Sequence, residues 1–331
     1  MVVMKKMAVV FFLGALLHCA LWAQHPFIEA GSSYEGGEDI NSSEPAIEFF
    51  TQLPSFEKVN EEKPFVIGAD IVYSSHSKII TLPLSYYLVT DNKTMYAFRI
   101  MVPYVMRKFA FKFDTSQEFS GAGLGDITIG VDMNSKIGEM PIFLQLMIKT
   151  PTGKVDNESK ENEYTYIPLG TGTWDFALSA GFVKYFDSIA VKGKLGYRLN
   201  GTYENTTEFV KQEFDFGNMF TAVAGIGANV SDNFYGQLTM LFVSNKAVAV
   251  SNTVLATDTT TSLEANGTGI TVLDICPQID YSINGFVFSA GIVVPLYSAW
   301  GEPEPLEMVP GEGIPDPERE IKIKFGFQHP F

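Results

Sequence analysis

Cysteine is scarce in this 331-residue chain: Cys19 and Cys276 are the only two. Cys19 lies in the apolar stretch at the N-terminus, so Cys276 stands alone once that stretch is removed. One cysteine makes no internal disulfide and no cysteine-based zinc site. Histidine is scarce too, with four residues in all. No H-E-x-x-H pair, G-x-S-x-G elbow or Walker-type loop is present. His76, flanked by Ser74, Ser75 and Ser77, is the one credible general base, and a lone histidine among turn serines reads as a solvated turn. No catalytic residue, metal site or cofactor is therefore expected. Lysine and arginine number 23 against 38 aspartates and glutamates, a net charge of −15. Phosphate backbones require clustered basic residues, so nucleic acid is not expected as a partner. Long apolar runs are missing as well. Beyond the N-terminus nothing approaches the roughly eighteen consecutive apolar residues of a spanning helix.

What is present at the start is an export signal. Lys5 and Lys6 form a basic patch, Met7 to Leu21 is apolar, and Leu21-Trp22-Ala23 ends on a small residue. That layout predicts a signal peptide over 1–23, cleaved after Ala23. Lipidation at Cys19 is the weaker alternative, because His18 stands where a small residue is required. Residues 24–64 are acidic, with Glu35, Glu38, Asp39, Glu57, Glu61 and Glu62 among them. They are expected to be a periplasmic segment, either a plug or a flexible leader.

From 65 to 331 the apolar residues come in short alternating segments. Alternation with period two marks strands, and about twelve are expected, each near the nine to eleven residues that a tilted strand needs to cross a bilayer. They fall at 65–74, 77–88, 95–106, 124–133, 141–150, 172–184, 188–199, 217–229, 234–244, 269–281, 286–297 and 321–331. The links between them alternate in length. Short turns such as Phe186-Asp187 and Ser282-Ile283-Asn284-Gly285 alternate with long polar stretches at 107–123, 151–171, 200–216, 245–268 and 298–320. Transmembrane barrels sort their loops this way, short turns on the periplasmic side and long loops outside. The fold expected is an all-β transmembrane antiparallel barrel of about twelve strands, both termini periplasmic.

Parity assigns two faces. Trp174, Phe176, Leu178 and Phe182 alternate with Thr173, Asp175, Ser179 and Gly181. Ile189, Leu195, Tyr197 and Leu199 lie opposite Lys192, Lys194 and Arg198 in parity. Hydrocarbon penalises charge, so the apolar face is the lipid face. The lumen then receives Asp70, Arg99, Asp126, Asp132, Lys149, Asp175, Lys192, Lys194, Arg198, Asp274 and Asp280, with Lys322 and Lys324. These are either a salt-bridge network that fills the barrel or a selectivity lining. Segments 217–229 and 286–297 carry apolar residues at both parities and are expected to line an apolar part of the interior. The chain ends on alternating Ile321, Ile323, Phe325, Phe327 and Phe331. This resembles the closing strand of a bacterial outer-membrane barrel. In that class Phe331, Phe327 and Phe325 correspond to the signal read by the barrel assembly machinery.

Four short motifs carry a closer resemblance. They are Gly123-Leu124-Gly125-Asp126-Ile127-Thr128-Ile129-Gly130, Ile148-Lys149-Thr150-Pro151-Thr152-Gly153, Gly170-Thr171-Gly172-Thr173-Trp174-Asp175 and Leu195-Gly196-Tyr197. Over about 95–300 the chain is similar to the outer-membrane family named for the meta-pathway of phenol degradation. That family is itself similar to hydrophobic-substrate channels of the fatty-acid-transporter type. The resemblance implies a monomeric barrel embedded in outer-membrane lipid that passes small hydrophobic solutes, aromatic or fatty, by passive diffusion. The alternative is a non-transporting surface or structural protein whose acidic loops bind a partner.

Overall fold

The computed structural model describes residues 65–330 apart from 75–76, 90–93, 112–113, 138–139, 155–168, 187–188, 207–209, 232, 247–248, 256–258, 265–268, 285 and 301–320. The expected signal peptide, the acidic segment 24–64, His76 and Phe331 lie outside the described residues. The described residues form strands and no helix. In chain order these are β1 (Phe65–Tyr73), β2 (Ser77–Val89), β3 (Met95–Phe111), β4 (Asp114–Leu124), β5 (Thr128–Ile137), β6 (Met140–Lys149), β7 (Asp175–Phe186) and β8 (Ile189–Leu199). Then follow β9 (Thr202–Thr206), β10 (Val210–Asp215), β11 (Met219–Asn229), β12 (Phe234–Asn245), β13 (Ala249–Val254), β14 (Thr259–Glu264), β15 (Ile270–Ile283), β16 (Phe286–Trp300) and β17 (Lys322–Pro330).

Every pairing is antiparallel, and β17 returns to β1, with Asp70 opposite Gly326 and Tyr73 opposite Ile323. The twelve-strand circuit therefore closes, as a lipid environment requires, and β4, which pairs with β3 alone, is left as an edge outside it. The closed circuit is β1, β2, β3, β5, β6, β7, β8, β11, β12, β15, β16 and β17. These are the twelve barrel strands that the alternation predicts. Strand β3 is long enough to pair twice. Its Met95–Met101 half lies along β5 and its Tyr104–Phe111 half along β4. β4 and β5 thus occupy one barrel position, broken at Gly125-Asp126-Ile127.

Two of the stretches read as polar loops contain strands. β9 and β10 arise from 200–216, and β13 and β14 from 245–268. Together they form a separate sheet in the order β14-β13-β10-β9. Segment 107–123 is likewise mostly the extended ends of β3 and β4. Polarity marked these stretches as loops, but Thr259-Thr260-Thr261 and Val250 are β-branched and favour an extended backbone whatever their polarity. Hydroxyl pairs cross this sheet, Ser251 to Ser262 at 2.7 Å and Thr253 to Thr260 at 2.8 Å.

Side chains separate by face as the pleat demands. Leu178, Leu195 and Ile279 are 54%, 59% and 58% exposed, while their neighbours Ser179, Lys194 and Gln278 are buried. The exterior is apolar and the buried charged residues lie inside, the reverse of a water-soluble protein. At the short-turn end Phe286 packs on Phe327 and His329, with ring centroids 5.6 and 4.0 Å apart. Phe234 meets Tyr281 at 4.7 Å on the same side. Such rings suit the bilayer interface.

Candidate transport lumen

The break at Gly125-Asp126-Ile127 interrupts a hydrogen-bond ladder, and each freed backbone group needs a partner. The segment after β6 supplies several. Thr150 N donates to Ile127 O at 2.8 Å, and Ile127 N donates to Thr152 Oγ1 at 2.8 Å. Gly125 N donates to Pro103 O at 2.9 Å. The break turns the Asp126 carboxylate into the barrel, where it receives the two ends of the β6–β7 connection. Gly153 N donates to Oδ1 at 2.8 Å; Thr171 N and Oγ1 donate to Oδ2 at 2.7 and 3.0 Å. Leu169 follows the same inward path and packs between Ile79 and Val105. The described ends of the stretch read as an external loop therefore fold into the lumen. Residues 155–168 lie outside the described residues.

Around Asp126 the charges interlock. Lys149 Nζ bridges Asp126 at 3.2 Å and Asp175 at 2.7 Å, and it also bonds Thr171. Arg198 Nη2 meets Asp175 Oδ2 at 2.6 Å. Asp175 Oδ1 accepts from Thr173 Oγ1 at 2.9 Å and from Gly201 N at 3.0 Å. All these charged groups are buried. A buried charge is tolerated when it is paired, and here each charge has an opposite one within 3.2 Å.

A second chain of bonds crosses the middle of the barrel wall. Arg99 Nε meets Asp132 Oδ2 at 2.5 Å. Gln145 Nε2 donates to Asp132 Oδ1 at 2.7 Å, while Gln145 Oε1 accepts from Lys194 at 2.9 Å and Ser179 at 3.1 Å. Five consecutive barrel strands, β3 and β5 to β8, contribute one residue each. Further toward the short turns, Lys192 bonds Gln237 Oε1. On the other side of the barrel, Asp70, Asp274, Lys322 and Lys324 are buried. Asp280 is half-buried and accepts from Gln278 at 2.6 Å. Each sequence-predicted lumen residue points inward. The clusters are Asp126 with Lys149, Asp175 and Arg198, and Arg99 with Asp132 and Lys194.

The opposite wall is richer in apolar side chains, although Asp274, Gln237 and Gln278 are also buried on it. Met219, Val223, Leu241, Val243, Ile270, Val272, Cys276 and Val293 form one buried cluster across β11, β12, β15 and β16. Strand β11 carries apolar residues at both parities. The structure turns Met219 and Val223 inward and leaves Phe220 and Ile226 39% and 49% exposed. The apolar interior extends onto β12 and β15, beyond the two segments that the sequence singled out. Leu241, Val243 and Val272 were missed because their strands also carry apolar residues toward lipid.

A closed strand circuit, a lipid-facing apolar belt and a lumen with one charged and one apolar wall define a transmembrane β-barrel. The family described as "putative MetA-pathway of phenol degradation" matches residues 67–245, and the chain belongs to that family. Among solved structures, the chain is similar to an outer membrane channel from Pseudomonas putida F1. The two share 11% identity with a TM-score of 0.62, over 85% of this chain and all (100%) of that one. A mutant of the monoaromatic hydrocarbon channel TodX aligns at 10% identity over 80% of this chain and 89% of its own, with a TM-score of 0.46, too loose to support the fold. No curated protein matches the chain.

Proposed function

We propose that the protein is an outer-membrane channel through which small hydrophobic molecules, aromatic or fatty, diffuse passively. The observation that carries this is the apolar wall of β11, β12, β15 and β16 inside a barrel whose outer face already meets lipid. Packing these side chains also stabilises the barrel, but it does not require that they gather on one side of the interior and the ion pairs on the other. A channel for apolar solutes needs such a wall, because the polar outer leaflet resists them. Family membership and the likeness to an outer membrane channel support the same conclusion. In this arrangement residues 1–23 direct export, the short turns and both termini are periplasmic, and the closing strand with Phe325, Phe327 and Phe331 engages the assembly machinery. The barrel works as a monomer, without catalysis or cofactor.

The test is uptake of naphthalene into vesicles with a lipopolysaccharide outer leaflet, with and without folded protein. Faster entry through the protein is expected. Equal entry, with the barrel folded by heat-modifiable gel mobility, would favour a surface protein, for which the separate sheet of β9, β10, β13 and β14 offers a binding face.

A further inference from the structure

The chain carries a net charge of −15, yet its interior has the opposite sign. Among the described residues the buried cations are Arg99, Arg107, Lys149, Lys192, Lys194, Arg198, Lys322 and Lys324. The buried anions are Asp70, Asp126, Asp132, Asp175 and Asp274. With the half-buried Asp280, which also points inward, eight positive groups stand against six negative ones, a surplus of +2. Low-dielectric walls focus such a field along the lumen.

The position of these cations is as informative as their number. Strand β8 presents Lys192, Lys194 and Arg198 inward, and its neighbour β11 begins the apolar wall. The register sets Met219 directly opposite Arg198 and Val223 directly opposite Lys194. The seam between charged and apolar walls therefore runs along the β8–β11 pair. A small cavity of about 20 Å³ lies on this seam; Lys194, Arg198, Gln145, Ser179, Met219 and Thr221 are among its lining residues, with the outward-facing Leu178 and Tyr197 at its other side. It offers cationic and hydrogen-bonding groups on one flank and a thioether on the other.

We propose that the lumen selects amphipathic anions: solutes whose aromatic or aliphatic body lies against the β11–β15 wall while a carboxylate or sulfonate tracks the β8 cations. This rests on the channel function above and narrows its solutes by charge. A neutral hydrocarbon uses only one wall, and an organic cation meets a repulsive one. The interior ion pairs then have two roles. Asp126 and Asp175 hold Lys149 and Arg198 in place, and the positive surplus sets the sign of the solute.

Two permanently charged probes of similar size test this, since neither crosses lipid unaided. Benzenesulfonate and benzyltrimethylammonium uptake should be measured by absorbance of washed proteoliposomes. Benzenesulfonate should enter about ten-fold faster or more, since focused fields of this kind alter association by that order. The difference should shrink as salt is raised from 0.05 to about 0.5 M. In planar bilayers a potassium chloride gradient should give a reversal potential of the anion-selective sign. Lys194→Gln should lower the preference several-fold, and Lys192→Gln provides the same reading should the first variant fail to fold. Equal or faster uptake of the cation, or a cation-selective reversal potential, overturns the proposal while leaving a channel. No uptake of either probe together with no naphthalene entry overturns the channel itself. Naphthalene entry without benzenesulfonate entry overturns only the charge selection.

Discussion

The amide of Thr171 donates to Asp126 Oδ2 at 2.7 Å, joining residues 45 apart in sequence. Three of the Gly-rich motifs that tie this chain to its family meet at that carboxylate. Gly125-Asp126 supplies the acceptor, Pro151-Thr152-Gly153 one amide, and Gly170-Thr171 another with a hydroxyl. The motifs are thus the parts of one clamp, which holds both ends of the β6–β7 connection inside the barrel.

Asp126→Asn should loosen that clamp. The amide keeps one acceptor oxygen but loses the charge that Lys149 pairs with at 3.2 Å. A charge-assisted bond of this kind is worth about 1.5–3 kcal/mol, so thermal stability should fall by an amount of that order. Conductance in planar bilayers should rise, because the connection no longer stays held against the lumen wall. Lower stability with unchanged conductance would mean that the clamp braces the barrel without narrowing it.

Gly170→Ala tests the same joint by volume. A Cβ at Gly170 would lie 2.7 Å from Gly153 Cα and 2.8 Å from Asp126 Cγ. The reverse holds for Gly153, whose Cβ would meet Gly170 Cα at 2.7 Å. The two chain ends can cross beside the carboxylate only because neither carries a side chain. Overpacking a tight contact costs about 1–3 kcal/mol, so Gly170→Ala should lower the melting temperature while Gly236→Ala, with its nearest atom 3.6 Å away, should not. Equal melting temperatures would show that the connection shifts freely.

Strand count and facing were legible because a barrel wall has one repeating rule. Each residue of Trp174 to Phe182 meets either hydrocarbon or lumen, and the two media select opposite side chains. The inward fold of the β6–β7 connection was not legible. Its residues are mostly polar and look like solvent-exposed loop, and the few apolar ones, Leu169 among them, show no periodicity that would mark a buried anchor. The pairing of Asp126 with Thr171 depends on a chain reversal that local alternation does not encode. The strands β9, β10, β13 and β14 were hidden for another reason. Tyr203 and Phe214 pack together on one face, but each of these short strands carries too few apolar residues to show the alternation that marks a membrane strand.

Leu178→Arg should be costly because Leu178 is 54% exposed on the outer face. A charge near the bilayer midplane of a barrel costs about 2–4 kcal/mol. The simplest contrast, Arg at the adjacent Ser179, is not the informative one, since Ser179 is buried and bonds Gln145 at 3.1 Å in a crowded interior. Ser179→Ala is the better partner and removes one hydrogen bond, worth about 0.5–1.5 kcal/mol. Urea unfolding followed by heat-modifiable mobility should rank Leu178→Arg well below Ser179→Ala. The opposite ranking would place the lipid on the other face.

Membrane orientation can be read by thiol labelling, because the native Cys276 is only 2% exposed and should stay silent. Thr261, on β14 of the separate sheet, and Ser231, in the turn between β11 and β12, are both exposed and lie at opposite ends of the barrel. With long connections outside and short turns in the periplasm, Thr261→Cys should react with a membrane-impermeant maleimide on intact cells. Ser231→Cys should react only after the outer membrane is permeabilised. Reaction at Ser231→Cys alone would invert the barrel. Reaction at both sites in intact cells would mean that one of these ends does not lie where the loop lengths put it.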